Sequence, residues 1–137
     1  MKSFHFIEPV KVQAFKDLRG NLGVSDFGGE PKFVVQRIYY IYGVPEGASR
    51  GAHGHKKLEQ VFYALKGNFQ LSVTDGAMVD KVELRESGDG YYVPEGLWRD
   101  IASFSSDCVC LVLASLPYDE TDYIFEYEAF KAWREKK

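Results

Sequence analysis

The sequence predicts an all-β domain, a sandwich or barrel of short strands with one short C-terminal helix, and three observations carry that reading. Turn residues recur at short intervals: Arg19-Gly20-Asn21, Gly28-Gly29, Pro45-Glu46-Gly47, Lys66-Gly67-Asn68, Asp75-Gly76, Gly88-Asp89-Gly90 and Pro94-Glu95-Gly96. Such residues reverse the chain at low steric cost, and many short strands between them build a sandwich or barrel. The composition agrees, since 13 Gly, 10 Phe and 9 Tyr in 137 residues suit pleated surfaces joined by tight turns. Helical periodicity appears only near the end, where Tyr127, Phe130 and Trp133 recur at i, i+3, i+6 among Glu and Lys, so an amphipathic helix is expected from about Glu126.

Residues 33–42 are dense in β-branched and aromatic side chains and read as the first strand, with an apolar run at 61–65 as another. Residues 69–74 alternate with period two, the mark of a half-buried strand, and Asp75-Gly76 reads as the hairpin tip after it. Residues 79–84, 91–93 and 108–114 continue the pattern, the last apolar enough to lie deep between two layers. Nothing resembles a linker or a repeat, and 137 residues suit one well-cored domain spanning 1–137.

With 17 Lys+Arg against 20 Asp+Glu the net charge is −3, which argues against a nucleic-acid binder, because such proteins neutralise many phosphates with a basic face. The segment 1–10 contains Lys2, His5 and Glu8 and lacks a continuous apolar core, so neither a signal peptide nor a membrane anchor is expected there. No run approaches the length of a membrane span, and a cytoplasmic location follows. In that compartment Cys108 and Cys110 stay reduced, and their C-x-C spacing puts both on one strand face as small buried apolar groups.

The chemistry concentrates in residues 47–59. On an extended strand His53 and His55 project to the same side, about 6.5 to 7 Å apart at the backbone, so two imidazoles converge on one pocket. Gly47, His53, His55 and Glu59, with Gly67 one position late, resemble the first cupin motif, in which a His-x-His pair and a Glu bind a metal inside a double-stranded β-helix jelly roll. The second cupin motif is matched by Gly88 and Pro94-Glu95-Gly96, but its third histidine ligand is replaced by Arg99. A guanidinium has donors only and keeps its charge, so a metal-free cupin with no cofactor is expected.

Imidazoles freed from a metal can act as acids and bases near neutral pH, and an adjacent arginine can hold the negative charge that develops when a carbon beside a carbonyl is deprotonated. That set suits enolisation. Arg50, Lys56 and Lys57 form a stretch without acids that fits a diphosphate, with Arg50 and Arg19 preferred over the lysines for bidentate contact. Period two groups Arg37 with Tyr39 on the face preferred for the pocket, whereas His5 belongs to no motif and reads as a surface or edge residue.

The run from Arg37 to Gln60, the Leu97-Trp98-Arg99 triplet and Tyr118-Asp-Glu-Thr-Asp-Tyr-Ile together resemble the sugar 3,4-ketoisomerases, the WxcM-like cupins that act on dTDP-4-oxo-6-deoxyglucose. The resemblance implies a metal-independent shift of the carbonyl from C4 to C3 through an enediol, giving a 3-oxo-6-deoxyhexose for an aminotransferase and for polysaccharide or antibiotic amino sugars. It implies catalytic roles for His53 and His55, substrate contacts from Arg50 and Arg99, and a homodimer that exchanges strands. Gly54, where the family often has alanine, should loosen the strand slightly. Either histidine could be the base, with His53 favoured because it lies nearer the Arg50 loop. Three other readings are a metal-dependent dioxygenase using His53, His55 and Glu59, a non-catalytic nucleotide-sugar binding module, and a 3,5-epimerase.

Overall fold

Alternation of side chains builds the two layers. The computed structural model describes residues 3–29 and 32–137, so Met1 and Lys2 of the N-terminal segment lie outside it. Strands β1 (Glu8–Val10), β2 (Gln13–Asp17), β3 (Gly20–Val24), β4 (Arg37–Tyr42), β5 (Arg50–His55) and β6 (Gln60–Lys66) are followed by β7 (Asn68–Thr74), β8 (Val79–Arg85), β9 (Gly90–Val93), β10 (Trp98–Ala102), β11 (Val109–Ala114) and β12 (Tyr123–Ile124), and helix α1 (Tyr127–Glu135) ends the chain. One five-stranded sheet has the order β1-β9-β6-β11-β4, the facing one has the order β12-β5-β10-β7-β8, and β2 and β3 form a separate hairpin. Every pairing is antiparallel, which gives the jelly-roll arrangement of a cupin.

β7 and β8 bury every second residue, and Phe69, Leu71, Val73, Val82 and Leu84 meet Phe62, Val93, Cys110 and Val112 of the facing sheet. Each such buried side chain contributes about 1.5 to 3 kcal/mol. The turn after β7 begins as expected at Asp75, whose carboxylate accepts the backbone N–H groups of Ala77 and Met78. Cys108 and Cys110 are both buried and free. Buried Asp80 accepts the backbone N–H groups of His5, Phe6 and Ile7 at 2.7 to 2.9 Å and so ties the N-terminal segment to β8, while the His5 side chain is exposed.

Three expectations change. The strand expected over 33–42 starts only at Arg37, because the residues before it do not pair until Gln36 donates to the Ala114 carbonyl. The N-terminal hairpin of β2 and β3 was not anticipated, since it is exposed along its length and shows no alternation to read. Gly54 has a packing role: α1 lies on the outer face of the second sheet, and a Cβ on Gly54 would stand 2.7 Å from the ring of fully buried Phe130. Among the described residues no helix is long and apolar enough to cross a membrane.

Candidate active site

The site forms where β5 and β10 run side by side, and ladder register decides which side chains share it. Arg99 stands directly across from His53, and Tyr123 of β12 stands across from His55, so all four point to the interior face of one sheet. Gly54 and Trp98, one residue along on each strand, point outward to α1, where the Trp98 ring lies 5.8 Å from that of Phe130. A cavity of about 270 Å³ results, lined by His53, Arg50, Arg99, Ile101 and Tyr123 from this sheet and by Arg37, Tyr39, Ile41 and Phe62 from the facing one.

Arg50 reaches that cavity through a backbone irregularity. Period two would place it on the face opposite His53, but the β5–β10 register slips between the pairs Arg99–His53 and Ile101–Arg50. Gly51 sits in this bulge at φ 71°, a left-handed conformation that glycine adopts without strain. The extra residue turns Arg50 to the cavity side, where it is exposed at the mouth.

The two imidazoles occupy different depths. His53 lines the cavity, whereas His55 is 1% exposed behind it, with the two rings edge to face at 4.7 Å. Asp122, just before β12, is also buried and lies 2.9 Å from His55 Nδ1 through Oδ2. A carboxylate only accepts, so the Nδ1 of His55 carries the proton and its Nε2 is the lone-pair nitrogen. Asp122 also accepts the backbone N–H groups of Lys57 and Leu58, which fixes the carboxylate itself. Burial, reinforced by the Arg99 charge, lowers the His53 pKa to about 4, and the same two causes push His55 down further. Both rings are therefore neutral near pH 7, and the His53 ring that lines the cavity carries one proton-accepting nitrogen.

Arg99 is 1% exposed, and burial lowers its pKa to about 10, which still leaves it cationic at neutral pH. Its Nη2 donates to the Leu97 carbonyl at 2.9 Å and its Nη1 to Gln60 Oε1 at 2.5 Å, and Gln60 Nε2 in turn donates to the Tyr39 hydroxyl oxygen at 2.9 Å. Burial raises the Tyr39 pKa to about 12, so the phenol keeps its proton. The buried Nε atoms of Arg37 and Arg99 have no hydrogen-bond partner among the described residues, which leaves donors available around the cavity.

The donor set does not fit a cupin metal. Glu59, the residue at the motif's acidic position, accepts the Tyr92 hydroxyl instead, and its neighbour Gln60 is the side chain that meets Arg99. Among the described residues no three His, Cys, Asp or Glu side chains come together as a ligand set. A fixed guanidinium lies across from His53, and its positive charge opposes a cation there.

Of the residues singled out from the sequence, the structure brings together His53, Arg50, Arg99, Arg37 and Tyr39 around the cavity, with His55 behind His53. It does not bring Arg19 there. Arg19 sits at the exposed turn between β2 and β3, paired with Asp17 at 2.6 Å. Lys56 and Lys57 likewise do not line the cavity. Asp122, Gln60 and Tyr123 were missed. Asp122 and Tyr123 belong to the Tyr118-to-Ile124 run already quoted for its resemblance, but nothing local says that this run pairs with the histidine strand. A larger cavity of about 440 Å³ lies outside the sandwich between the β2–β3 hairpin and the first sheet, lined by Leu22, Phe27, Tyr63, Leu65 and Leu111, and contains neither imidazole nor guanidinium.

Comparison with known proteins agrees with this geometry. The family described as WxcM-like, C-terminal (FdtA) matches residues 5–135. TDP-4-oxo-6-deoxy-alpha-D-glucose-3,4-oxoisomerase of Aneurinibacillus thermoaerophilus is 41% identical over 126 residues, which are 90% of this chain and 91% of that protein. A 3,4-ketoisomerase variant from Thermoanaerobacterium thermosaccharolyticum, crystallised with TDP-4-keto-6-deoxyglucose, superposes with TM-score 0.89 at 32% identity over 98% of each chain. A 3,4-ketoisomerase from Helicobacter canadensis gives TM-score 0.87 at 33% identity, covering 96% of this chain and 99% of that one. With its cupin fold, its inward-facing histidine and the guanidinium across the ladder, the chain belongs to the WxcM-like family of sugar 3,4-ketoisomerases.

Proposed function

We propose that the protein isomerises a dTDP-linked 4-oxo-6-deoxyglucose to the 3-oxo-6-deoxyhexose, with His53 as the base that moves hydrogen between C3 and C4. The observation that carries this reading is a neutral, cavity-lining imidazole directly across the ladder from a buried arginine. His53 takes the C3 proton, the C3–H electron pair forms the C3=C4 bond, and the C4 oxygen receives a proton to complete the enediol. Return of the carbon proton to C4 and loss of the O3 proton leave the carbonyl at C3. Arg99 holds the charge that develops on oxygen, in a site where burial strengthens that interaction. Arg50 at the mouth and Arg37 on the facing wall supply donors for the diphosphate and the sugar. No metal takes part in these steps.

Conversion in deuterium oxide tests the reading. Incubation with dTDP-4-oxo-6-deoxyglucose, followed by NMR, is expected to move the carbonyl carbon signal from C4 to C3 with solvent label confined to those two carbons, in protein exhaustively chelated beforehand. Label at C5 would mean epimerisation, and loss of turnover on chelation would restore the metal-dependent alternative.

The same reading includes a homodimer with exchanged strands. The β2–β3 hairpin exposes Phe15, Leu18 and Leu22, with Leu18 at 107% relative exposure, and β4 exposes Ile38, Tyr40 and Tyr42 on its outer face. Exposed apolar side chains in this number suit an interface. Exchange of the hairpin would carry Arg19 to the other protomer's cavity, where its guanidinium could meet the diphosphate. Sedimentation at micromolar concentration is expected to give twice the 15.6 kDa chain mass, and a monomer would reject this part of the proposal. A product destined for an aminotransferase, together with two free buried cysteines, supports a cytoplasmic place of work.

A further inference from the structure

We propose that helix α1 sets the reach of the histidine and arginine side chains from behind the sheet, with Phe130 and Arg134 as positioning residues for His53, His55 and Arg99. The inference rests on the ketoisomerase reading and adds to it residues that line no part of the cavity. Its basis is where the helix meets the sheet. Gly54 lies between the two histidines on β5 and is the ladder partner of Trp98, the neighbour of Arg99 on β10. Fully buried Phe130 stands on Gly54, and its ring lies 5.8 Å from that of Trp98. Successive side chains of a strand point to opposite faces, so displacement of the backbone from the outer side, at Gly54 and Trp98, moves His53, His55 and Arg99 on the inner side.

Arg134 supplies a second point of attachment. Its Nη1 donates to the Gly96 carbonyl at 2.6 Å, and the Gly96 N–H donates to the His55 carbonyl at 2.9 Å. The adjacent Leu97 carbonyl accepts both the His55 N–H at 3.4 Å and Arg99 Nη2 at 2.9 Å. The turn at 96–97 therefore joins the backbone of the histidine strand to the guanidinium of its neighbour, and α1 is fastened to that turn. The helix side has little room to yield, because the Phe130 ring packs between those of Trp98 and Trp133. Carbon atoms rest about 3.5 to 4.0 Å apart, so a methyl group on Gly54, 2.7 Å from the Phe130 ring, forces strand and helix apart by roughly 1 Å. A displacement of that size at the reacting groups costs a site about 10²-fold.

The test compares the parent with Gly54→Ala, Phe130→Val and the double variant, assayed with dTDP-4-oxo-6-deoxyglucose. Valine has no atom beyond Cγ, and the Phe130 Cγ stands at an ordinary 3.5 Å from the Gly54 Cβ position, so the double variant restores the spacing that Gly54→Ala breaks. In Gly54→Ala kcat is expected to fall at least about 10-fold with TDP affinity within about threefold, and in the double variant kcat should return to within about threefold of the parent. A merely structural role predicts a lower melting temperature while the folded protein keeps its kcat. A folded Gly54→Ala enzyme with kcat within about threefold of the parent, or a double variant no faster than Gly54→Ala, would overturn the proposal. If Gly54→Ala does not fold, Arg134 decides. Arg134→Met should lower kcat about three- to tenfold with TDP affinity retained, and Arg134→Lys, which can still donate to the Gly96 carbonyl, should recover most of that loss. An Arg134→Met enzyme with the parent kcat would refute the attachment. A further readout needs no turnover: the ring-nitrogen NMR signals of His53 and His55 should move in Gly54→Ala and return in the double variant. Unmoved signals would count against α1 as a positioning element. Absence of turnover by the parent protein, with those signals moving as expected, would instead count against the ketoisomerase reading alone.

Discussion

Replacing His53 with Asn is expected to lower kcat about 10³-fold while TDP binds within about threefold of the parent affinity. The amide is close in shape to half of the imidazole but cannot accept the C3 proton, whereas the proposed diphosphate contact lies with Arg50 at the mouth. His55→Asn should also cost activity, through the support it gives His53. If the His53 variant keeps kcat within tenfold and the His55 variant does not, the base has been assigned to the wrong ring. The pH profile is a second handle. With the His53 pKa lowered to about 4, kcat/KM should stay flat from pH 8 to about pH 5 and fall only below that, instead of near the ordinary imidazole value of about 6.5. Stability moves in the same direction over this range. Between about 4 and 6.5 the unfolded chain binds a proton at His53 that the folded chain excludes, so stability declines as pH falls through that window. The acid limb is therefore best read after brief dilution from pH 7.

The second large effect is expected at Asp122. Asp122→Asn keeps the side-chain shape but must aim its NH₂ group at a neighbour. If it donates to His55 Nδ1, the imidazole takes the opposite tautomer, and Nε2, the accepting nitrogen of the parent, becomes a donor. A kcat loss of about 10² to 10⁴-fold is expected, by the same physics that makes a wrong tautomer costly in other histidine catalysts. Asp122→Ala differs in kind. It leaves three donors, the buried His55 Nδ1 and Leu58 amide and the part-buried Lys57 amide, without their shared acceptor, so destabilisation of about 3 kcal/mol should accompany the lost activity. An Asn variant that is folded and fully active would show that Asp122 only braces the loop. Chemical shifts of the His55 ring nitrogens in the parent and variant proteins separate these outcomes directly.

Legibility in the sequence followed the range of the interactions. β7 and β8 could be read because their alternation is local and complete, and α1 because Tyr127, Phe130 and Trp133 keep a helical period. The hairpin of β2 and β3 could not, since none of its residues is buried within the chain and its exposed apolar groups answer to no core in this protomer. The metal-ligand position was misread by one residue. Glu59 has the expected chemistry, but the turn before β6 sends it to Tyr92 and leaves Gln60 inside, where a one-residue change exchanges the two faces of a strand. Arg50 stands out in the sequence for its charge, yet strict period two would have sent it to the side away from the cavity it lines. Only the bulge at Gly51 brings it round, and that bulge shows itself in register with β10, not in the residues of β5 alone.

The amino-acid sequence by itself determined the all-β architecture, the paired imidazoles and the guanidinium that stands where a third metal ligand belongs, because each depends on residue type and short spacing. The tertiary structure alone decided which imidazole meets the cavity, that Asp122 sets the tautomer of the other, and that Gln60 links Arg99 to Tyr39. Those three facts depend on contacts between residues 21 to 67 positions apart in the chain, which only strand pairing and sheet packing can close.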